Sequence, residues 1–195
     1  MNGKTHVAFG MTMAASHVVL NWNNPMFLGM VQYNHPAVLV GAYVGSLLPD
    51  IDHQQAKLGK KFPAISKRLV HRGFTHSSAF LALLTLPFQM MAELPGTLPI
   101  KLINGLLVGL WLGVLSHDVA DLFNHAGIAV MWPLIGKEKT CIAGIKTAGY
   151  DKKCRSKIGA LLAKVDNHLD EWLFKGFGIG GIIIHTILVL SGKTI

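Results

Sequence analysis

Four or five apolar stretches, each bounded by Pro, Gly, Asn or charged residues, are the feature that most restricts how this chain can fold. They cover 7–20, 35–48, 77–94, 102–115 with an extension to 134, and 177–190. A helix that spans a bilayer needs about 20 apolar residues, and runs of about 10 to 14 are more typical of buried or re-entrant helices. Hydrophobic residues nevertheless make up 51% of the chain and charged residues only 14%, against about 25% charged in soluble domains. The balance favours a membrane protein.

The stretches predict an all-α fold, a polytopic helical membrane bundle with about four to five membrane helices. Residues 1–135 would form a membrane-embedded metal-site domain, 136–175 a basic cytoplasmic segment, and 176–195 a C-terminal membrane helix. Apolar residues recur at helical spacing between 158 and 173, which predicts a cytoplasmic amphipathic helix. One alternative for the first stretch is a secretory signal, because Lys4 precedes it and Ala-Ala-Ser at 14–16 resembles a cleavage site.

The placement of basic residues predicts the orientation, because positively charged loops stay on the cytoplasmic side. With the N-terminus inside, the 50–76 loop, the 136–176 connection and Lys4 together hold sixteen of the eighteen Lys and Arg residues inside. Only Lys101 and Lys193 fall outside. This pattern predicts a multi-pass protein of a bacterial-type inner membrane. The net charge of +8 fits a face near anionic lipid headgroups, whereas nucleic-acid binding is disfavoured because the basic runs lack interleaved aromatic residues.

Histidines and acids gather at the cytoplasmic ends of these stretches. Ionisable groups near hydrocarbon persist where they pair or coordinate something, and His with carboxylate suits Zn, Mn, Fe or Ni. Cys141 and Cys154 have no zinc-type spacing, which disfavours a thiolate site. The candidate metal ligands are His6, Asp50, Asp52, His53, His71, His76, His117 and Asp121.

Local spacing supports two parts of this set. His117 and Asp121 are four residues apart, which places them on one helical face with Cβ atoms about 5 to 6 Å apart. His71 and His76 are five apart, so a turn at Gly73 and a helix capped by Thr75 or Ser77 would be needed for both imidazoles to face one point.

Simpler interpretations exist for single members of the set. A lone His at a helix end is commonly solvated, Asp50 could serve only as a helix cap, and Arg72 could snorkel toward lipid phosphate. We expect His17, His35 and His185 to be structural. The pattern does not assign His125 or His168.

Three motifs in combination resemble the YdjM-like family of predicted membrane-bound metal-dependent hydrolases. They are Pro-Asp-Ile-Asp-His at 49–53, His-Arg-Gly-Phe-Thr-His-Ser at 71–77, and Ser-His-x-x-x-Asp at 116–121 followed by Gly127 and Trp132-Pro133. The resemblance covers residues 4–134. It implies an inner-membrane helical protein whose metal ligands fall on the candidate set, with Asp50 or Asp52 as the acid of the first motif.

The order of an early His, an Asp, a His and then H-x-x-x-D is similar, more distantly, to the all-helical superfamily of zinc-dependent phospholipase C and single-strand nucleases. Those enzymes use a zinc cluster to cut phosphodiesters. This chain departs from their pattern, because His168 and Glu171 form only an i,i+3 pair. We therefore expect one or two divalent ions, with Zn first and Mn as an alternative.

These features predict a metal-dependent hydrolase acting on a phosphodiester or lipid headgroup at the cytoplasmic membrane face. Asp50 or Asp52 would be the general base, and Arg72 would grip a phosphate through its planar fork. The alternative from another class is a non-catalytic inner-membrane protein with a structural or sensory metal site. A metal transporter is disfavoured, since among candidates near the bilayer midplane the sequence offers only His185 and His17. Expected partners are membrane lipids and a phosphodiester substrate. The oligomeric state is not predicted.

Overall fold

The computed structural model describes residues 3–122 and 127–133, and these are mostly helical. Two 3₁₀ turns, at Pro49–Asp52 and Phe74–His76, interrupt the order of helices and strands. In chain order the elements are α1 Gly3–Leu20, β1 Met26–Phe27, β2 Val31–Gln32, α2 His35–Gly45, α3 Lys57–Lys61, α4 Pro63–Ser66, α5 Ser78–Leu83, α6 Leu86–Ala92 and α7 Leu98–Leu122.

Helices α2 and α7 run parallel and in close contact at the centre of the fold. Glycines make this contact possible: a Cβ at Gly41 or Gly45 would meet the backbone of α7, and one at Gly109 or Gly113 would meet the backbone of α2. At Gly113 that atom would lie 2.6 Å from the carbonyl oxygen of Ala42. Small residues at helix contacts let two backbones approach in this way.

Helix α1 runs antiparallel to this pair and packs on both of its members. Gly10 marks the crossing, because a Cβ there would lie 2.8 Å from Ser46 Cβ and 3.0 Å from Ser116 Oγ. One turn before Gly10 lies His6, which therefore reaches the end of the bundle where α2 and α7 finish.

The opposite end of the bundle holds the apolar core and a short antiparallel hairpin, in which Phe27 pairs with Val31. Here the ring of His17 lies 5.5 Å from those of Phe27 and Tyr33, and the ring of His35 lies 4.6 Å from that of Trp22. His17 and His35 therefore lie against this core, at the end of the bundle away from His6.

Two predicted helix boundaries were wrong. The stretch 77–94 is broken into α5 and α6, because Pro87 lies in the first turn of α6 and has no backbone N–H to continue the hydrogen bonds of α5. Helix α7 is longer than 102–115, but its predicted extension to 134 does not form. Residues 127–133 instead form a turn that begins with Gly127 at φ 59°.

Within the described residues, α7 is the single helix long and apolar enough to cross a membrane. The structure therefore shows fewer candidate spans than the four to five predicted. The predicted amphipathic segment 136–175 and the stretch 177–190 lie outside the described residues.

Candidate metal centre

Side chains from three sequence-distant regions meet at the end of the bundle where α7 finishes. His6 comes from α1 and His117 from α7, and their rings stack with centroids 3.7 Å apart. His76 approaches from the second 3₁₀ turn, with its ring centroid 5.1 Å from that of His117. These three histidines are at most 1% exposed. The three histidines, all of them candidate ligands from the sequence, are thus buried together at the base of the bundle.

Two acids complete the cluster. Asp121 Oδ1 lies 3.4 Å from His6 Nε2, and Asp121 Oδ2 lies 3.8 Å from His76 Nε2 and 4.0 Å from His117 Nε2. Asp50 Oδ1 lies 3.8 Å from His117 Nε2. Ligands on one tetrahedral ion at bond lengths of about 2.0 to 2.2 Å lie roughly 3.3 to 3.6 Å apart, so these separations need only small adjustments to accept an ion.

The cluster divides into two overlapping groups that share His117. The first joins His6, His117 and Asp121, and the second joins Asp50, His76 and His117; in each, the ligand atoms lie within 4.8 Å of one another. His and carboxylate donors without thiolate suit Zn²⁺ or a similar divalent ion. The geometry therefore fits one ion, or two that share an edge of the cluster.

Hydrogen bonds fix the tautomers of two histidines in the form that binds metal. The Ser46 carbonyl lies 2.7 Å from His117 Nδ1 and accepts its proton, so Nε2 carries the lone pair. His76 Nδ1 lies 3.2 Å from Thr75 Oγ1, whose own proton goes to Asp52. Both Nε2 atoms are buried without a hydrogen-bond partner among the described residues. Metal-binding histidines commonly donate their other ring N–H in this way.

Asp52 holds the surrounding loops together. Its Oδ1 lies 2.9 Å from His71 Nδ1, and its Oδ2 accepts from the Arg72 backbone N–H at 2.9 Å and from Thr75 Oγ1 at 2.7 Å. Burial alone would raise the pKa of Asp52, but hydrogen bonds with His71, His76 and Thr75 hold it well below its usual range. Asp50, and not Asp52, therefore belongs to a group that could hold an ion.

Arg72 connects Asp52, which holds the surrounding loops, to Asp121 of the cluster. Its backbone N–H donates to Asp52, and its side-chain Nη2 lies 3.0 Å from Asp121 Oδ2. The residue has φ 60°, a conformation rarely adopted by residues with a side chain, and it is only 8% exposed. The guanidinium that was predicted to bind phosphate is thus already paired with a carboxylate.

Three predicted ligands, Asp52, His53 and His71, lie outside both groups found among the described residues. The rings of His53 and His71 have centroids 4.5 Å apart, and His71 Nδ1 lies 2.9 Å from Asp52 Oδ1. Burial and the neighbouring His71 lower the pKa of His53. In the described part of the chain these residues surround the site rather than complete it.

Asp118 was not predicted from the sequence. This side chain is 5% exposed, and neither of its oxygens has a hydrogen-bond partner in the part of the chain that the structure describes. Its position could have been noticed, because an acidic residue within an apolar membrane helix is energetically costly and commonly has a function. The Ser46 carbonyl was also missed, because a backbone contact leaves no trace in residue type.

Known proteins similar to this chain are inner membrane proteins or uncharacterized. A family described as YdjM inner membrane protein matches residues 1–189. Inner membrane protein YdjM of Escherichia coli (strain K12) is 35% identical over 100 residues, which is 49% of this chain and 49% of that protein, and the Shigella flexneri protein of that name matches equally. Uncharacterized protein YvsG of Bacillus subtilis (strain 168) is 31% identical over 137 residues, 68% of this chain and 74% of that protein.

The match spans about half the length of the Escherichia coli and Shigella relatives. No solved structure gives a significant match. Because the family match covers nearly the whole sequence, the chain belongs to the YdjM inner membrane protein family and is located in the inner membrane.

Proposed function

We propose that this chain is a membrane-bound metal-dependent hydrolase that acts on a phosphodiester or lipid headgroup at the cytoplasmic face. The observation that carries this proposal is the pair of buried Nε2 lone pairs on His76 and His117, both directed at carboxylates and lacking hydrogen-bond partners within the described residues. Buried polar atoms normally find a partner, and a divalent cation supplies one.

The chain's own residues divide the work of such a site. His6, His117 and Asp121 would hold the ion, and Asp50 with His76 would complete its ligands or hold a second ion. A bound divalent ion would lower the pKa of a coordinated water to about 7. Asp52 orients His76 through Thr75, and Arg72 offsets part of the charge of Asp121. Asp50, with its side chain 21% exposed, is the carboxylate best placed to accept a proton from water.

The proposed orientation places the N-terminus and the metal centre in the cytoplasm, in a multi-pass protein. Its support is the asymmetry of the basic residues together with the position of the site at one end of the bundle. The loop 50–76, which carries six of the sixteen basic residues assigned to the inside, leads directly into the 3₁₀ turn that carries His76.

A structural or sensory metal site is the second candidate. The near-complete burial of His6, His76 and His117 favours it, because a closed site leaves no position for substrate. The two functions differ in coordination: a catalytic ion keeps a water-occupied position, and a structural ion has protein ligands only.

The deciding experiment measures metal content and hydrolysis on one preparation. The purified protein in detergent is loaded with Zn²⁺ or Mn²⁺ and assayed against a chromogenic phosphodiester, beside His117→Ala and the control His17→Ala from the opposite end of the bundle. We expect turnover that follows metal content and is lost only in His117→Ala. The structural function would be favoured if the protein binds stoichiometric metal through four protein ligands, with no coordinated water, and shows no turnover.

A further inference from the structure

A groove of about 430 Å³ lies beside the metal centre. Its apolar walls come mainly from Leu69 and Val70, which follow α4, and from Phe74 and Trp132, whose rings are 5.3 Å apart in an edge-to-face arrangement. A volume of this size is within the range of about 300 to 1,000 Å³ usual for ligand pockets. Val70 is 58% exposed. The groove therefore offers hydrophobic surface that a ligand would bury.

Two cations line the same groove. Arg68 is exposed, and Arg72 extends from the groove to within 3.0 Å of Asp121 in the metal centre. Among the described lining residues there is no carboxylate. Guanidinium groups pair with phosphoryl oxygens through a planar fork, so the charge of the groove is complementary to a phosphate.

Apolar walls and basic lining together match an amphiphile better than a small soluble phosphate. The protein resides in the inner membrane, where anionic lipids are available. A hydrocarbon chain against Phe74 and Trp132 would leave its phosphate at Arg68 and Arg72. Arg72 would then join the phosphate to the residues around Asp121.

We propose that this groove binds the hydrocarbon chain of a phosphate-bearing lipid and presents its headgroup to the metal centre. The proposal deepens the proposed function, on which it rests for the chemistry that follows binding, by naming a lipid phosphate as the substrate class.

Native mass spectrometry of the full chain from detergent tests this assignment, with three probes compared by titration. Lysophosphatidic acid carries tail and phosphate, glycerol 3-phosphate lacks the tail, and lysophosphatidylcholine has a tail with a zwitterionic headgroup. We expect one bound lysophosphatidic acid per chain. Val70→Asn should weaken its binding about tenfold, and Val40→Asn, at an equally exposed valine (58%) on α2, should not. Arg68→Ala should weaken lysophosphatidic acid more than lysophosphatidylcholine, because the choline cation of the second lipid already offsets the charge of its phosphate. Lys61→Ala is the matched control.

Glycerol 3-phosphate binding as tightly as lysophosphatidic acid, or equal affinity of the Val70 and Val40 variants, would overturn the proposal. A change of oligomeric state in Val70→Asn with unchanged lipid binding would assign the groove to a second copy of the chain and would also overturn it. Metal content is measured on the same samples. A full complement of bound metal with no lipid binding would contradict this proposal but not the hydrolase proposal. Specific lipid binding by a protein that binds no metal would contradict the hydrolase proposal but leave lipid binding by the groove in place.

Discussion

The imidazole of His6 stacks on that of His117 at 3.7 Å, with an angle of 12° between the ring planes. Two protonated rings at this distance in a buried site would repel each other, so the stack favours neutral imidazoles. The neutral imidazole is the form that binds metal. The stack therefore favours the metal-binding protonation state of both rings. Because an imidazole binds metal in its own ring plane, the two parallel rings would have to turn out of the stack to bind one ion.

Loss of either stacked ring should lower metal content. We expect His117→Ala and His6→Ala each to reduce bound Zn²⁺ at least tenfold at limiting metal, because each removes a direct ligand of the first group. His17→Ala, at the opposite end of the bundle, should keep full content. Elemental analysis of purified protein, with counts per chain, measures this; equal content in all three variants would contradict the ligand assignment.

Two neighbouring acids on α7 provide a matched pair. Asp121→Asn should lose most bound metal, because Asp121 belongs to a ligand group and contacts His6, His76 and His117. Asp118→Asn should keep it, since Asp118 belongs to neither of the groups found among the described residues. Calorimetric titration with Zn²⁺ compares them. A larger loss in Asp118→Asn would instead make Asp118, which lies one turn before Asp121 on the same face of α7, a metal ligand.

Asp52→Asn should act on the surrounding loops and through His76. The amide replaces a buried carboxylate that joins His71, Arg72 and Thr75, so we expect unfolding to become easier by about 2 to 4 kcal/mol. Metal affinity should fall about 10- to 100-fold through the lost orientation of His76. Thermal unfolding of apo and metal-loaded protein separates the two effects. Complete loss of metal in a variant of unchanged stability would instead make Asp52 a direct ligand.

The contact between α2 and α7 should not tolerate a single added methyl group. A Cβ at Gly109 would overlap the Val38 backbone, so Gly109→Ala should destabilise the protein by about 1 to 3 kcal/mol or more. Gly3→Ala is the control, because its Cβ would meet only Leu47 Cδ2 at an ordinary 3.5 Å. Thermal unfolding in detergent measures both, and equal midpoints would contradict the packing.

The proposed orientation predicts the accessibility of the two cysteines. Cys141 and Cys154 lie in the basic connection assigned to the cytoplasm. They should resist a membrane-impermeant thiol reagent in intact cells and react once the cells are permeabilised. Labelling of intact cells would reverse the orientation and move the metal centre to the other side of the membrane.

The sequence predicted which residues share the site better than it predicted their roles. His6, His76, His117 and Asp121 could be placed together because each lies at the same end of an apolar stretch. Asp50 and Asp52 could not be told apart, since both occupy one short turn and only the fold shows which carboxylate the Thr75 hydroxyl and the Arg72 backbone engage.

Helix boundaries were predicted less well for a different reason. Apolar content continues through 77–94, so hydropathy alone did not register the break that Pro87 imposes between α5 and α6. The sequence left open whether Thr75 or Ser77 caps the helix. Ser77 is the cap, since its hydroxyl accepts from the Phe80 N–H, whereas Thr75 donates to Asp52.

The glycines of α7 and its metal-binding residues form one continuous row. Gly105, Gly109, Gly113, His117 and Asp121 follow one another at intervals of four, and such a row winds slowly along a helix. The glycines of this row contact α2, and the row then continues into His117 and Asp121, which would hold the ion. The Ser46 carbonyl at the end of α2 orients His117. An ion held there would stabilise the contact between α2 and α7. A change that separates the two helices would therefore also lower the affinity for the ion.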